Sequence, residues 1–137
     1  MSGKKLITRN ILLLSLVSFF TDMSSEMVYP VMPLFFTSVG VSVLTMGMIE
    51  GCAEAVAGIS KSFFGHLGDR LGRPEWFVRM GYGLSAITKP LLGFATSPAA
   101  FIAIRSGDRF GKGIRTAPRD ALLSYESAKS ARGRVFG

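Results

Sequence analysis

The sequence predicts an all-α, polytopic membrane protein with four transmembrane helices. Three observations support this fold class: a hydrophobic share of 48% with a mean hydropathy of +0.37, four apolar stretches of spanning length, and basic residues that collect in alternate connections. A helix needs about 20 mainly apolar residues to cross the hydrocarbon core of a membrane. The four stretches are 10–36, 44–64, 76–95 and 99–123.

The first stretch, 10–36, is apolar except for the polar segment 21–26. A signal peptide is the alternative interpretation, because Lys4 and Lys5 precede an apolar run. However, no small-x-small cleavage site follows that run, and acidic residues and a second apolar run come next. We therefore expect an uncleaved membrane span.

The other three stretches differ in polarity. The stretch 44–64 is apolar throughout most of its length. The stretch 76–95 contains Lys89 and Pro90, and a proline there predicts a kink or an end of the helix near its outer side. The stretch 99–123 is the most polar. We predict that it spans the membrane because it follows three other spans, and not because of its own hydropathy.

Basic residues predict the orientation in the membrane. They lie before the first span, in the connection 65–75 and after the fourth span: Lys4, Lys5 and Arg9, then Arg70 and Arg73, then Lys129, Arg132 and Arg134. The connections 37–43 and 96–98 carry no charge. Since basic residues stay on the cytoplasmic side during insertion, we predict a cell (inner) membrane protein whose ends and loop 65–75 are cytoplasmic. This placement accounts for the net charge of +7 without a nucleic-acid partner.

Charged residues inside the predicted spans fall on single helix faces, because a helix turns about 100° per residue. The first span carries Asp22 and Glu26, and the second carries Glu50 and Glu54. The fourth carries a mainly basic stripe: Arg105, Asp108, Arg109, Lys112 and Arg119, with Arg115 at its edge. Ionisable residues are costly in a membrane, so the stripes should converge on a pathway or neutralise one another. Both interpretations stay open for a single residue, and the size of the whole set favours a pathway.

The sequence contains no nucleophile–base set, metal-ligand cluster or cofactor motif, and it therefore predicts neither an enzyme nor a cofactor. The glycine-rich segment 107–113 lacks the Ser or Thr of a phosphate loop, and the segment 81–86 lies inside a span with no strand before it. We assign such glycines to close helix contact, with Gly107/Gly111 and Gly47/Gly51 at small-xxx-small spacing.

The loop 65–75 carries a specific motif. Its motif residues are Gly65, Asp69, Arg70, Gly72 and Arg73. This pattern resembles the loop between helices two and three of the major facilitator superfamily, although Pro74 stands where another basic residue is usual. The segments 24–30 and 111–120 resemble a bacterial branch of that superfamily, which consists mainly of presumed transporters without an assigned substrate. The resemblance extends from about residue 8 to the end.

The resemblance implies both fold and function. Members have twelve helices in two six-helix halves, so residues 1–137 would form one partial domain of the N-terminal half, with 131–137 approaching a fifth helix. The implied function is secondary active transport of a small solute by alternating access, coupled to protons. The implied partners are the solute, protons, the lipid bilayer, and the missing helices of the carrier or another subunit.

The resemblance also assigns roles to residues. The loop would act as a latch, with Asp69 facing a helix N-terminus of the other half and Arg73 bridging it to Asp120. A loop that only sets topology is the alternative, but it does not explain Asp69. A carboxyl group buried in a membrane can load and release a proton. The candidates for a proton and substrate pathway are Asp22, Glu26, Glu50, Glu54, Arg105, Asp108, Arg109 and Lys112. Either Arg105 or Arg109 would match the arginine of the family's fourth helix.

Two alternative functions remain open. One is a small four-helix exporter that works as a dimer, and the other is a remnant or interaction protein of the membrane. The sequence identifies neither the substrate and its charge, nor the direction of transport, nor the coupling ion.

Overall fold

The computed structural model describes residues 9–126, and this part of the chain is helical without a strand. It contains five helices: α1 (Arg9–Glu26), α2 (Met32–Ser38), α3 (Val43–Leu71), α4 (Pro74–Leu92) and α5 (Pro98–Glu126). The predicted all-α class is confirmed. The basic residues predicted to flank the spans at the two ends, and the segment 131–137, lie outside the described residues: Lys4, Lys5, Lys129, Arg132 and Arg134.

The first predicted span, 10–36, is not one helix. α1 ends at Glu26, and the chain passes through turns before α2 begins at Met32. Tight turn hydrogen bonds replace the regular ladder there, including Tyr29 N–H to Glu26 O at 3.1 Å. Pro30 has no N–H to donate, and a proline ring clashes with the preceding helical turn, which explains why the helix breaks at this point.

The predicted loop 65–75 is also corrected. α3 continues to Leu71, and α4 begins at Pro74, so only Gly72 and Arg73 lie between the two helices. Gly72 adopts a left-handed φ of 61°, and its N–H donates to Gly68 O at 3.1 Å. A glycine in this conformation is a common helix C-terminus, whereas the polar residues before it do not end a helix. The motif therefore lies mostly on the last two turns of α3.

α4 runs two residues past Pro90 and ends at Leu92, before the predicted limit at residue 95. The N–H of Gly93 donates to Pro90 O at 3.1 Å in a tight turn. α5 extends beyond the predicted 99–123 at both ends. Its length of 29 residues corresponds to about 43 Å, more than the hydrocarbon core of a bilayer.

Glycines allow α5 to pack closely against α4 and α3. A Cβ atom added to Gly81 would lie 2.5 Å from Arg115 Cβ, and one added to Gly113 would lie 2.5 Å from Ser60 Cβ. The close contact predicted for Gly107/Gly111 is confirmed, since both face α4 at 3.0–3.3 Å. The contact predicted for Gly47/Gly51 is not formed within the described residues, because none of their atoms comes within 4 Å of either added Cβ.

An aromatic cluster joins α2 to the start of α5. The ring centroids of Phe35 and Phe36 lie 5.1 and 5.2 Å from that of Phe101, and Met32 is buried beside them. α1 packs less closely, since only Ile11 and Ser25 are buried along it. Polar contacts therefore contribute much of the attachment of α1 to the other helices.

The helices differ in whether their length and hydropathy suffice to cross a membrane. Within residues 9–126, α3 alone is both long enough and apolar enough to cross a membrane by length and composition. The predicted count of four spans is not confirmed by this measure. The reason is physical: the break at residues 27–31 shortens α1, and α5 carries many charged side chains.

Candidate functional site

The charged face of α5 points into the protein. Arg105, Asp108, Arg109 and Arg115 are each at most 1% exposed. An ion taken out of water loses several kcal/mol of solvation, so the partners of these groups decide whether the arrangement is stable. The arginines of α5 find their partners in two clusters, which lie at different depths along the helix.

The first cluster, the Glu50 cluster, contains Glu50, Glu54, Arg105, Arg109 and Tyr29. Arg105 Nε donates to Glu50 Oε1 at 2.9 Å, and Arg109 Nη1 lies 2.8 Å from Glu54 Oε1. Arg109 Nη2 also lies 3.7 Å from Glu50 Oε2. The two acids are one turn apart on α3 and the two bases one turn apart on α5. The two predicted stripes therefore meet as a ladder of ion pairs.

Tyr29 comes from the break between α1 and α2 and covers both arginines. Its ring centroid lies 4.9 Å from Arg105 Cζ and 5.2 Å from Arg109 Cζ. Its hydroxyl accepts a hydrogen bond from Arg109 Nη2 and donates to Glu54 Oε1 at 3.5 Å. An aromatic face stabilises a desolvated cation by about 2 kcal/mol. The helix break therefore places one side chain that contacts both buried cations and one of their acids.

The second cluster, the Asp22 cluster, ties α1 to α5 and α4. Arg115 Nη2 lies 3.0 Å from Asp22 Oδ1, and Arg115 Nη1 donates to Ser85 Oγ at 2.7 Å. Arg119 Nη1 lies 3.8 Å from Asp22 Oδ2, and its Nη2 lies 2.9 Å from Asp120 Oδ1. The Asp22 side chain is 39% exposed, so this cluster is open on one side.

Asp108 lies between the two clusters and belongs to neither. Ser25 Oγ donates to Asp108 Oδ2 at 3.4 Å, and Arg105 Nη1 lies 3.8 Å from the same oxygen. Nearby, Lys89 Nζ donates to the carbonyl oxygen of Thr21 at 2.6 Å. These contacts bring α1, α4 and α5 together at one buried polar junction.

A groove of about 600 Å³ opens between α1 and α5 beside the Asp22 cluster. Its lining combines acids, one arginine, hydroxyls and apolar side chains: Ser15, Ser18, Phe19, Asp22, Met23, Glu26, Arg119, Asp120 and Leu123. Glu26 is exposed here, and its side chain has no partner among residues 9–126. The groove can therefore bring water or a solute to Asp22.

Some predicted site residues stay outside the network. Lys112 is half-buried and forms no ion pair within the described chain. Asp69, Arg70 and Arg73 are exposed, and none of them forms an ion pair with another residue between 9 and 126. In that part of the chain, no three side chains of metal-binding type converge.

The predicted bridge between Arg73 and Asp120 is not formed. Asp120 pairs with Arg119 and lines the groove beside α1. A different groove, of about 280 Å³, separates the α3–α4 connection from the last turns of α5, and Ala121, Leu122 and Tyr125 line it from α5. Helical periodicity therefore turns Asp120 away from the connection and toward α1.

Residues that the sequence did not select complete the site. Arg115 was placed at the edge of the α5 stripe, yet it is fully buried against Asp22, Ser85 and Tyr82, whose ring centroid lies 4.8 Å from Arg115 Cζ. Arg115 is buried because α5 packs on both α3 and α4, so that two faces of α5 are covered rather than one. Tyr82, Ser85 and Lys89 follow one another at three- and four-residue spacing in the sequence, and this spacing indicates a second polar face, on α4.

Comparisons with known proteins agree with the helical architecture. The family model described as Major Facilitator Superfamily matches residues 14–137. The chain is 40% identical over 131 residues to an uncharacterized MFS-type transporter of Methanocaldococcus jannaschii, an alignment that covers 96% of this chain and 33% of that protein. It is 35% identical over 99 residues to an uncharacterized protein of Mycobacterium bovis, with 72% of this chain and 24% of that protein covered.

A third relative carries a functional name. The chain is 32% identical over 93 residues to the multidrug resistance protein MdtG of Erwinia billingiae, with 64% of this chain and 22% of that protein covered. No solved structure matches the chain significantly. The chain spans about a third or less of the length of the curated relatives it matches.

Proposed function

The chain belongs to the major facilitator superfamily, and from this premise we propose that it forms part of a secondary active transporter in the cell (inner) membrane. The transporter moves a small solute by alternating access and couples this movement to protons. It performs no enzymatic reaction. The observation that carries the proposal is the buried arginine face of α5, whose cations pair with acids on two other helices.

The proposed membrane arrangement has four spans within one partial domain over residues 1–137. α1 and α2 together form the first span, and α3, α4 and α5 form the other three. Large apolar side chains that are exposed on several helices support contact with lipid, among them Phe19, Phe20, Ile59, Phe63 and Ile87. The basic residues of the connection and of both ends support cytoplasmic termini.

The network supports movement of α1 as the coupling step. α1 has few buried residues, and the Asp22–Arg115 ion pair holds it to α5. Protonation of Asp22 would remove one charge of this pair and weaken the attachment, while deprotonation would restore it. A change of one charge at an element with two alternative positions is a common basis of molecular switches.

The connection between α3 and α4 supports the proposed latch. Asp69, Arg70 and Arg73 are exposed at the end of α3 and form no ion pair within residues 9–126. Such charges are free to contact another part of the transporter. An aspartate is stabilised near a helix N-terminus by about 0.3–1 kcal/mol, which suits a contact that must form and break in each cycle.

The proposal is tested by solute uptake into proteoliposomes that contain the protein as its gene encodes it. One relative is named a multidrug resistance protein, so drugs are the first solutes to test. We expect an imposed pH gradient to drive uptake or efflux. Neutralising the four acids Asp22, Glu26, Glu50 and Glu54 as Asn or Gln should abolish this pH-driven flux.

Glu75→Gln at the exposed start of α4 is the matched control and should leave the flux unchanged. Because neutralising Glu50 can destabilise the fold, the single variant Asp22→Asn is measured in parallel. Unchanged pH-driven flux in the folded four-acid variant contradicts proton coupling through these residues.

A further inference from the structure

A long groove, the α1–α4 groove, separates these two helices. Its first part, next to the start of both helices, has a volume of about 540 Å³. A second part of about 300 Å³ continues it toward the end of α1, and the two parts share Val17 and Tyr82. Apolar side chains form most of the walls of the first part: Leu13, Leu14, Val17, Val78 and Leu122.

Charged side chains lie at the end of the groove where both helices begin. Arg79 and Glu75 line it from α4, and Arg9 precedes Asn10, which lines it from α1. Arg79, Glu75 and Arg9 are exposed, and none of them forms an ion pair with another residue of the described chain. Two bases against one acid leave this end of the groove positively charged.

The proposed membrane arrangement puts the charged end at the cytoplasmic surface. Arg79 lies five residues after Pro74, the first residue of α4, which corresponds to about 7–8 Å along the helix. Side chains on a helix tilt toward its N-terminus, so the guanidinium of Arg79 extends toward the lipid headgroups of the cytoplasmic leaflet. Basic pockets between membrane helices on this side attract anionic headgroups.

The length of the groove matches one leaflet of a bilayer. From Arg79 to Lys89, α4 rises about 15 Å, which is half the thickness of the hydrocarbon core. An acyl chain whose headgroup lies at Arg79 can therefore follow the groove to mid-membrane. There the ammonium of Lys89 donates to the carbonyl oxygen of Thr21 at 2.6 Å, so the chain does not desolvate an unpaired cation.

The width of the groove favours acyl chains over another helix. The first part runs from residue 10 to 17 on α1 and from 75 to 82 on α4, about 10 Å along each. A volume of about 540 Å³ over this length gives a mean cross-section of about 50 Å². A helix at least 10 Å wide has a cross-section of about 80 Å², so it can lie on the rim of the groove but cannot fill it.

We propose that the α1–α4 groove binds an anionic phospholipid of the cytoplasmic leaflet. The phosphate contacts Arg79, Arg9 adds to the attraction, and an acyl chain lies along the groove toward Lys89. This inference rests on the membrane arrangement given under the proposed function. The bound lipid contacts both helices and therefore holds α1, which has few buried residues of its own, against α4.

Photocrosslinking tests the site in the protein as its gene encodes it, reconstituted in phosphatidylcholine vesicles. The probes are phosphatidylglycerol, which is anionic, and phosphatidylcholine, which carries no net charge, each with a diazirine in its acyl chain. Peptide mass spectrometry measures the labelling of residues 10–17 and 75–82. We expect the anionic probe to label them at least about fivefold more, the factor that one basic residue near a membrane surface provides.

Variants test the role of the cation. Arg79→Gln should lower the ratio of anionic to uncharged labelling about fivefold. Arg70→Gln is the matched control, because it removes the same charge at the end of α3, outside the groove, and should leave the ratio unchanged. Equal labelling by both probes in the unaltered protein, or a ratio that Arg79→Gln does not change, overturns the proposal.

Another helix of the whole protein is the alternative occupant of the groove. In that case both probes label the exposed face of α3 at Ile59 and Phe63, but neither labels residues 10–17 and 75–82, and the proposal fails. The labelling requires no transport. A protein without pH-driven flux therefore refutes the proposed function, while the labelling ratio still decides whether the groove binds anionic lipid.

Discussion

Asp22 and Arg115 form the ion pair that attaches the most loosely packed long helix of the described chain to its most buried one. Asp22 Oδ1 of α1 lies 3.0 Å from Arg115 Nη2 of α5. The arginine is 1% exposed, whereas the aspartate side chain is 39% exposed. The two side chains therefore differ in their need for the contact. Water can solvate the half-exposed carboxylate of Asp22, whereas the buried guanidinium of Arg115 relies on protein partners to compensate its lost solvation.

Asp22→Asn is expected to lower the free energy of unfolding by about 1–3 kcal/mol, since it leaves part of a buried guanidinium without its acid. The contacts of Arg115 with Ser85 and Tyr82 limit the loss. Unfolding in detergent, followed by circular dichroism, measures the effect. Glu26→Gln is the matched control, because Glu26 lines the same groove one turn away and should change stability little. Equal losses in both variants would show that the ion pair contributes nothing specific.

The two glutamates of the Glu50 cluster should differ in their contribution to stability. The Glu50 side chain is 16% exposed and forms ion pairs with both arginines, whereas that of Glu54 is 52% exposed and forms an ion pair with Arg109 alone among the described residues. Glu50→Gln should cost about 3 kcal/mol because it leaves the buried Arg105 with only a distant acid, Asp108 at 3.8 Å. Glu54→Gln should cost under about 1 kcal/mol, as for exposed ion pairs. Denaturant titration of both variants checks the order, and a larger loss for Glu54→Gln would contradict it.

Two glycine-to-alanine substitutions should have opposite effects. In Gly113→Ala the new Cβ would lie 2.5 Å from Ser60 Cβ and 2.6 Å from Ala57 O, so α3 and α5 must move apart. This overpacking should cost about 1–3 kcal/mol. In Gly58→Ala no atom of the described chain lies within 4 Å of the new Cβ, and the helix should gain about 0.5–1 kcal/mol. Thermal melting of the two variants compares them, and similar melting temperatures would refute the close contact at Gly113.

Thiol labelling tests the proposed orientation. The native Cys52 is exposed on α3 about 14 Å from its start, which places it at membrane depth. We therefore expect it to react slowly with a membrane-impermeant maleimide. In a Cys52→Ser background, Arg73→Cys should be labelled only from the cytoplasmic side, and Ser42→Cys before α3 only from the outside. Labelling of Arg73→Cys from the outside would reverse the proposed topology.

Local sequence patterns determined which segments become helices, because hydropathy and helical periodicity act over a few residues. Such patterns predicted the all-α class and the helix that contains 44–64. They also predicted that the third span would kink or end near Pro90. The helix ends could not be predicted in this way. The polar residues after Phe64 suggested a loop, but a polar helix end in water is as stable as a loop, so α3 continues to the left-handed Gly72. Likewise the apolar run 10–36 concealed a break at Pro30.

Sequence alone also determined which faces carry charge: acids on the first two predicted spans and bases on the fourth. Only the tertiary structure decided the partners. The register between α3, α4 and α5 depends on close contacts at Gly81 and Gly113, which no local pattern encodes. That register buries Arg115 against Asp22, turns Asp120 away from Arg73 and places Asp108 3.8 Å from Arg105. Pairing between helices depends on their relative rotation and depth, and these are properties of the packed bundle rather than of any one helix.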